Sequence, residues 1–268
     1  NTPTPMPGWE NVAGRMRALL KSQRYSDRTA ESYLDWTRRF ALAAPKVPTT
    51  SEEASRAVDD FLRTLAVQRN LSASSVSQAR NALAWLVKRV LGLEMVLEEK
   101  GNAHRGRRLP QVISVEAVRR LLACCDAPWD LFFGLQYGCG LRLMEILELR
   151  VQDVDTTRQI LTVRHGKGDH DREVPLPAVL GQRLSEHLEK RKALWMDDVA
   201  AGWARVDLPD SMGRKFANAD TSLEWQHLFG APRPLRHPGT GELRRWHPME
   251  SVVRTALKDA AVRSGATV

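Results

Sequence analysis

The stretch from Glu98 to Pro110 does most to limit what this chain can fold into. It carries Lys100-Gly101 and then His104-Arg105-Gly106-Arg107-Arg108-Leu109-Pro110. Glycines and a proline deny it a regular element, and the arginines keep it in water. Such a segment separates folding units, so residues 1–98 and 111–268 are read as two domains joined by a linker over 99–110. A total of 268 residues is long enough for both. Arg105, Arg107 and Arg108 also suit the linker to lie along phosphates, although a plain solvated linker fits the same glycines.

Ahead of the linker the pattern is helical throughout. Val12, Met16, Leu19 and Leu20 fall at i, i+4, i+7 and i+8, the stripe of an amphipathic helix. Ser26 caps a second helix whose inner face carries Tyr33, Trp36 and Phe40. A third follows Thr49-Thr50-Ser51-Glu52-Glu53 and buries Val58, Phe61, Leu62 and Leu65. A fourth is capped around Ser72 to Ser75 and buries Val76, Ala79, Leu83, Leu86 and Val90. Four such helices with short connections make a small bundle. Its polar faces carry Arg28, Arg38, Arg39, Arg80 and Lys88, which serve equally as a solvated surface or as contacts to a polyanion.

After the linker, helix and strand mix. Helices are expected from Ser114 through Leu122, from Ala127 to Gly138, from Leu143 to Leu149, from Pro177 to Met196 and from Glu250 to Ser264. Gln159 to Arg164 and Asp171 to Leu176 read as two short strands around the polar turn His165-Gly166-Lys167-Gly168-Asp169-His170. The fold class is therefore mainly α with a small antiparallel hairpin or sheet (α+β).

Lys and Arg outnumber Asp and Glu by 40 to 32, a formal charge of +8, which favours DNA or RNA as partner. No apolar run approaches the ~20 residues that cross a bilayer, so no membrane role is expected. Three cysteines in no metal or disulfide spacing suit a reducing cytoplasm. No Gly-rich nucleotide loop, His/Cys cluster or paired-carboxylate motif points to a metal or cofactor.

Two features carry chemistry. In Gly138-Cys139-Gly140-Leu141-Arg142-Leu143-Met144-Glu145, a tight turn presents Arg142 as a helix begins, with Glu145 one turn on. Backbone amides and the positive helix end would make a phosphate cradle there; a surface arginine at an ordinary helix corner is the plainer alternative. The second feature is Lys167 at the hairpin tip, either a turn lysine or a proton donor that reaches into a groove.

Taken in order, the bundle, the basic linker, Gly-x-Gly-Leu-Arg-x-x-Glu-Ile-x-x-Leu and the strand–Gly-Lys-Gly–strand resemble the tyrosine recombinase (phage integrase) family. The resemblance implies a core-binding domain that clamps DNA, a catalytic arginine at Arg142, a catalytic lysine at Lys167 and support from Glu145. It also implies tetramers on two DNA sites and a reaction that needs no metal or nucleotide cofactor. Residues 193–248, with Trp195, Trp203, Trp225, Arg244-Arg245-Trp246-His247, look like an insertion of the integron integrases. Those enzymes read bases that protrude from folded single-stranded hairpins. Trp225, Trp246 and His247 are then base-stacking candidates and Arg244 and Arg245 are DNA contacts, whereas each tryptophan alone is equally a core residue. The expected setting is the bacterial cytoplasm, at the nucleoid.

In the family, the His-x-x-Arg pair and the nucleophilic tyrosine sit on helices after the one that matches Glu250 to Ser264, and the residues given stop at Val268. The chain is thus expected to hold an incomplete catalytic domain, inactive alone, with apolar surface exposed near the strands. Tyr25, Tyr33 and Tyr137 are expected to be packing residues. The alternative reading is a truncated relative that binds DNA without cutting it.

Overall fold

The computed structural model describes residues 8–67, 69, 71–96, 112–164, 170–208, 218–237 and 239–266. The proposed linker with Arg105, Arg107 and Arg108, and the hairpin tip with Lys167, lie outside the described residues. The chain divides into two compact units, 1–110 and 111–268.

In the first unit, α1 (Trp9–Ser22), α2 (Asp27–Ala43), α3 (Ser51–Val67) and α4 (Ala73–Trp85) form the expected bundle, and α4 runs on into a π-helical turn, Leu86–Leu91. The starts are set by hydroxyl caps. Ser26 Oγ accepts from Thr29 N at 3.3 Å, Thr50 Oγ1 from Glu53 N at 3.2 Å and Ser72 Oγ from Ser75 N at 3.2 Å. Phe40 sits at the centre with its ring 5.6 Å from Trp9 and 5.5 Å from Phe61, both edge-on. Each such pair contributes roughly 0.5–1.5 kcal/mol beyond its buried area. Trp9 Nε1 donates to Ala44 O at 2.9 Å and Arg15 Nη2 to Val90 O at 2.7 Å, so the helix ends are tied across the bundle.

The second unit contains α5 (Val115–Ala123), α6 (Trp129–Gly138), α7 (Leu143–Glu148), β1 (Val154–Asp155), β2 (Ile160–Val163), β3 (Arg172–Pro175), α8 (Gly181–Ala200), β4 (Leu235–Arg236), β5 (Leu243–Arg244) and α9 (Glu250–Ser264). The sheet order is β1-β2-β3, antiparallel, with Val163 opposite Arg172 and Ile160 opposite Pro175. The expected strands shorten by a residue at each end. The sequence reading missed β1; Asp155 Oδ1 accepts from Thr157 N and Arg158 N, an Asx turn that folds β1 back onto β2. Helix α6 starts at Trp129 rather than Ala127, because the ring of Pro128 forces the residue before it out of helical geometry. The core is built from Phe132, Leu135, Ile146, Leu147, Leu161, Val163, Leu184 and Phe229.

One expectation is corrected here. Tyr137 is not a packing residue: α6 buries Leu131, Phe132, Phe133 and Leu135, and leaves Tyr137 56% exposed. Among the described residues, exposed large apolar side chains occur in both units; in the second they include Val179 just after β3 and Met196, Val199, Met249, Val252 and Val262 around α8 and α9, and none lies on β1–β3 themselves.

One close approach joins the end of α6 to the segment after β3. A Cβ built on Gly138 would meet Pro177 Cγ at 2.7 Å, and a proline ring cannot swing away. Gly138→Ala is expected to destabilise the unit by about 1–3 kcal/mol, the usual cost of overpacking, read as a drop in thermal unfolding temperature. An unchanged Tm would show that the two segments separate freely.

Candidate active site

Arg142 and Glu145 come together as the spacing predicts. Arg142 caps α7 with extended backbone, φ −69° and ψ 156°. Glu145, one turn on, accepts the Arg142 backbone N–H at 2.8 Å and its Nη1 at 2.6 Å. A third residue, which the sequence reading did not single out, completes the arrangement. Arg172 at the start of β3 donates Nη1 to Glu145 Oε1 at 2.9 Å and Nη2 to Oε2 at 2.7 Å. One buried carboxylate, with 7% of its side chain exposed, therefore holds two guanidiniums. Arg172 above all, and then Arg142, hold the Glu145 carboxyl down at about 2. The signal for Arg172 lay in strand parity: it shares the inward face with Val174, and an inward arginine needs a buried acid.

The positive end of a helix supplies little here, because α7 spans only six residues. The charge comes instead from the two arginines on one acid, a net of +1. Arg142 keeps 58% of its side chain exposed and spends one Nη on Glu145, so its remaining donors face water and can take an anion.

A second buried acid, Asp153, accepts Arg164 Nε at 2.6 Å and the Arg150 backbone N–H at 2.9 Å. Arg150 is half-buried, its desolvation lowers its pKa, and its guanidinium donates to Trp225 O at 2.8 Å and Asp207 O at 3.2 Å. The two arginines nearest the hairpin tip, Arg164 and Arg172, are thus each anchored on an acid of the preceding segment.

Residues 193–248 begin on α8 and return through the β4–β5 hairpin. Two of their expected DNA contacts are engaged by acids of the protein itself. Arg245 is buried and forms a bidentate pair with buried Asp198 of α8, at 2.6 and 2.8 Å, while its Nη1 donates to Ala231 O. Arg244 is 13% exposed and is taken up by Asp207 and Glu242. The Arg245 side chain is a structural tie, because it cannot turn outward without abandoning a buried acid, whereas the two acids that take Arg244 are themselves exposed. Arg191, also buried, donates to His227 O and Gln226 Oε1. Burial lowers its pKa to about 10.

On this frame Trp246 and His247 do come together. Trp246 lies 5.7 Å from His247, 6.0 Å from His227 and 6.3 Å from His237 between ring centres. Trp246 and His247 are half-buried. Burial pushes the His247 imidazolium below its ordinary value and that of His227 well below, so the rings are neutral at pH 7. Half-buried Trp225 contributes its carbonyl to Arg150. In the first unit Arg28, Arg38, Arg39 and Lys88 are exposed and Arg80 is half-buried. Arg39 and Arg38 share Asp35, at 2.8 and 3.9 Å, and Arg39 lies 4.8 Å over the Trp36 ring.

Two family models match the chain: the SAM-like N-terminal domain of phage integrases over residues 14–96 and the phage integrase family over residues 111–201. An integrase/recombinase of Escherichia coli is 34% identical over 267 residues, 98% of this chain and 79% of the relative, and one of Pseudomonas aeruginosa matches equally. The chain belongs to the phage integrase, or tyrosine recombinase, family. Members of that family cleave and rejoin DNA strands at specific sites. A XerA recombinase of Thermococcus onnurineus is 40% identical over 88 residues, 32% of this chain and 31% of its own. Among solved structures, the XerH recombinase bound to its palindromic difH substrate aligns over 96% of this chain and 68% of its own, with TM-score 0.57 and 16% identity. A lambda integrase dimer bound to a core site aligns over 97% of this chain and 79% of its own, with TM-score 0.54 and 12% identity. Both carry the tyrosine recombinase fold. Among the described residues no helix is long and apolar enough to cross a membrane.

The low pKa of Glu145 has a defined acid signature. Its stabilisation is complete above the ordinary carboxylate value of 4.5 and is lost as pH falls towards about 2. A shift of that size corresponds to about 3 kcal/mol. Below pH 6.5 the depressed histidines add their own loss, because they charge first in the unfolded chain. In denaturant unfolding across pH 2–7, Glu145→Gln is expected to flatten, without abolishing, the slope below 4.5, where Glu53 and Glu242 are also held low, and to keep that between 6.5 and 4.5. A wild-type slope below 4.5 in the variant would place the acid sensitivity elsewhere.

Proposed function

We propose that this chain belongs to a site-specific recombinase of the integron type, which moves gene cassettes by cutting and rejoining DNA in the bacterial cytoplasm. The observation that carries the integron reading is the ring cluster of residues 193–248. Trp246 and His247, half-buried and neutral, present the kind of aromatic faces on which an extruded base stacks. The ion pair of Arg245 with Asp198 fixes the backbone next to them. Trp225, in the same insertion, serves as a further stacking candidate.

In the reaction, a tyrosine hydroxyl attacks a DNA phosphate, the 5′ oxygen leaves, and a partner strand's hydroxyl later reverses the step. Arg142 neutralises the charge that builds on the non-bridging oxygens. Lys167 gives a proton to the departing 5′ oxygen. The tyrosine keeps the phosphate bond energy, so the chemistry calls for no metal or nucleotide cofactor. Arg28, Arg38, Arg39, Arg80 and Lys88 of the bundle and Arg105, Arg107 and Arg108 of the linker take the phosphates of the duplex. The exposed ion pairs of Arg38 and Arg39 with Asp35 are worth at most about 1 kcal/mol, so a phosphate displaces them readily. XerH and lambda integrase are both solved on DNA, and lambda integrase also as a tetramer on a Holliday junction. A tetramer on two sites, duplex or folded single strand, is the assembly proposed here.

In the intact recombinase, Arg142→Ala or Lys167→Ala is expected to slow recombination by ~100-fold or more, with DNA affinity within a few-fold. Recombination at the wild-type rate by either variant would remove that residue from the chemistry. Trp246→Ala separates the integron reading from a plain duplex recombinase. Binding to a hairpin with protruding bases should weaken by ~10-fold or more, since a stacked base contributes about 1–3 kcal/mol. Binding to perfectly paired duplex should hold. Equal loss on both DNAs would leave Trp246 a framework residue.

A further inference from the structure

Arg142 and Glu145 alone make a poor anion site. A guanidinium pressed at 2.6 Å against a carboxylate is neutralised by it, so a phosphate arriving there would meet a zwitterion of no net charge. Arg172 changes that balance. It takes both oxygens of Glu145 in a bidentate pair, at 2.9 and 2.7 Å, from a separate element, β3. With both of its Nη groups spent and 35% of its side chain exposed, Arg172 is less open than Arg142, which is 58% exposed and spends one. The backbone N–H of Arg142 donates to Glu145 Oε2, so a fixed Glu145 fixes both ends of Arg142.

We propose that Arg172 is a positioning residue for strand cleavage: it locks and neutralises Glu145, so that Glu145 orients Arg142 without cancelling its charge. The proposal rests on the reading of Arg142 as the arginine that binds the scissile phosphate. Arg172 itself does not touch the DNA in this arrangement. Its contribution is the net positive charge that remains on the three-residue group, and the fixed direction in which Arg142 presents it. A strongly held Glu145 carboxylate agrees with this geometry.

The test is single-turnover cleavage by the intact recombinase at saturating DNA, with DNA affinity and thermal unfolding read in parallel. Arg172→Gln is expected to slow cleavage by ~100-fold, with affinity within a few-fold. Arg172→Lys restores the charge on a single donor nitrogen and should recover cleavage to within about tenfold of wild type. The two partners should also be coupled: the Glu145→Gln/Arg172→Gln double variant should be no slower than Arg172→Gln alone, because without the carboxylate there is nothing left to neutralise. Additive losses that track a falling Tm, with no rescue by lysine, would make Arg172 a structural residue and overturn the proposal. Wild-type cleavage by Arg172→Gln would overturn it directly while leaving Arg142 in place. Wild-type cleavage by Arg142→Gln in the same assay would instead sink the reading of Arg142, and the positioning role with it.

Discussion

Glu145 is the residue on which the candidate site depends. A carboxylate with 7% of its side chain exposed survives burial only if its charge is met by donors, and here three N–H sources meet it: the Arg142 backbone, the Arg142 guanidinium and the Arg172 guanidinium. The same contacts join α7 to β3, so the acid that satisfies its own electrostatics also sets the distance between the helix and the sheet. Gly138 beside Pro177 gives this junction its second point of contact, through packing instead of charge. Between them they leave the turn from Gly138 to Arg142 little freedom, which is the preorganisation that a charge-stabilising arginine requires.

The pattern recurs through the second unit. Asp153 holds Arg164, 11 residues on, and the start of the turn after α7; Asp198 holds Arg245, 47 residues on; both acids are buried. Asp198 ties α8 to the segment that carries Trp246 and His247, and Arg191 ties the same helix to His227. Among the described residues that follow α8 in this region, regular structure is limited to a 3-10 turn at Ala219–Thr221 and a two-residue hairpin, so ion pairs supply much of its rigidity. Removing one partner of such a pair costs about 3–5 kcal/mol, because the other is left charged in a dry site. A basic composition is thus put to two uses, and the structural use consumes arginines that a count of surface charge would assign to DNA.

That division explains what the sequence made legible. The bundle, its caps at Ser26 and Ser72, the hairpin strands and the Arg142–Glu145 pair all follow from local spacing: period 3.6, a hydroxyl before the first turn, period 2 and an i, i+3 step. Arg172, Arg244 and Arg245 do not. Their roles depend on partners at Glu145, Asp207 and Asp198, from 27 to 47 residues away, and no pattern within one element reveals a pairing across elements. Tyr137 was misread for the related reason that a helix as apolar as α6 gives no contrast between its faces. Strand parity is the one local clue that was available, since Arg172 lies on the same side of β3 as Val174.

The two kinds of arginine can still be told apart by what each leaves unspent. Arg245 uses Nε and both terminal nitrogens within the protein, and Arg172 uses both of its terminal nitrogens on one acid. Arg142 commits a single nitrogen and keeps more than half of its side chain in water. A guanidinium binds a phosphate well when it is held at one edge and open at the other, because the orienting contact is then already made before the ligand arrives. Among the arginines around Glu145, Arg142 alone meets that condition. Its neighbours on the acid serve to keep it so, and for that reason the chemistry of the site is a property of the Arg142–Glu145–Arg172 group and not of any one residue in it.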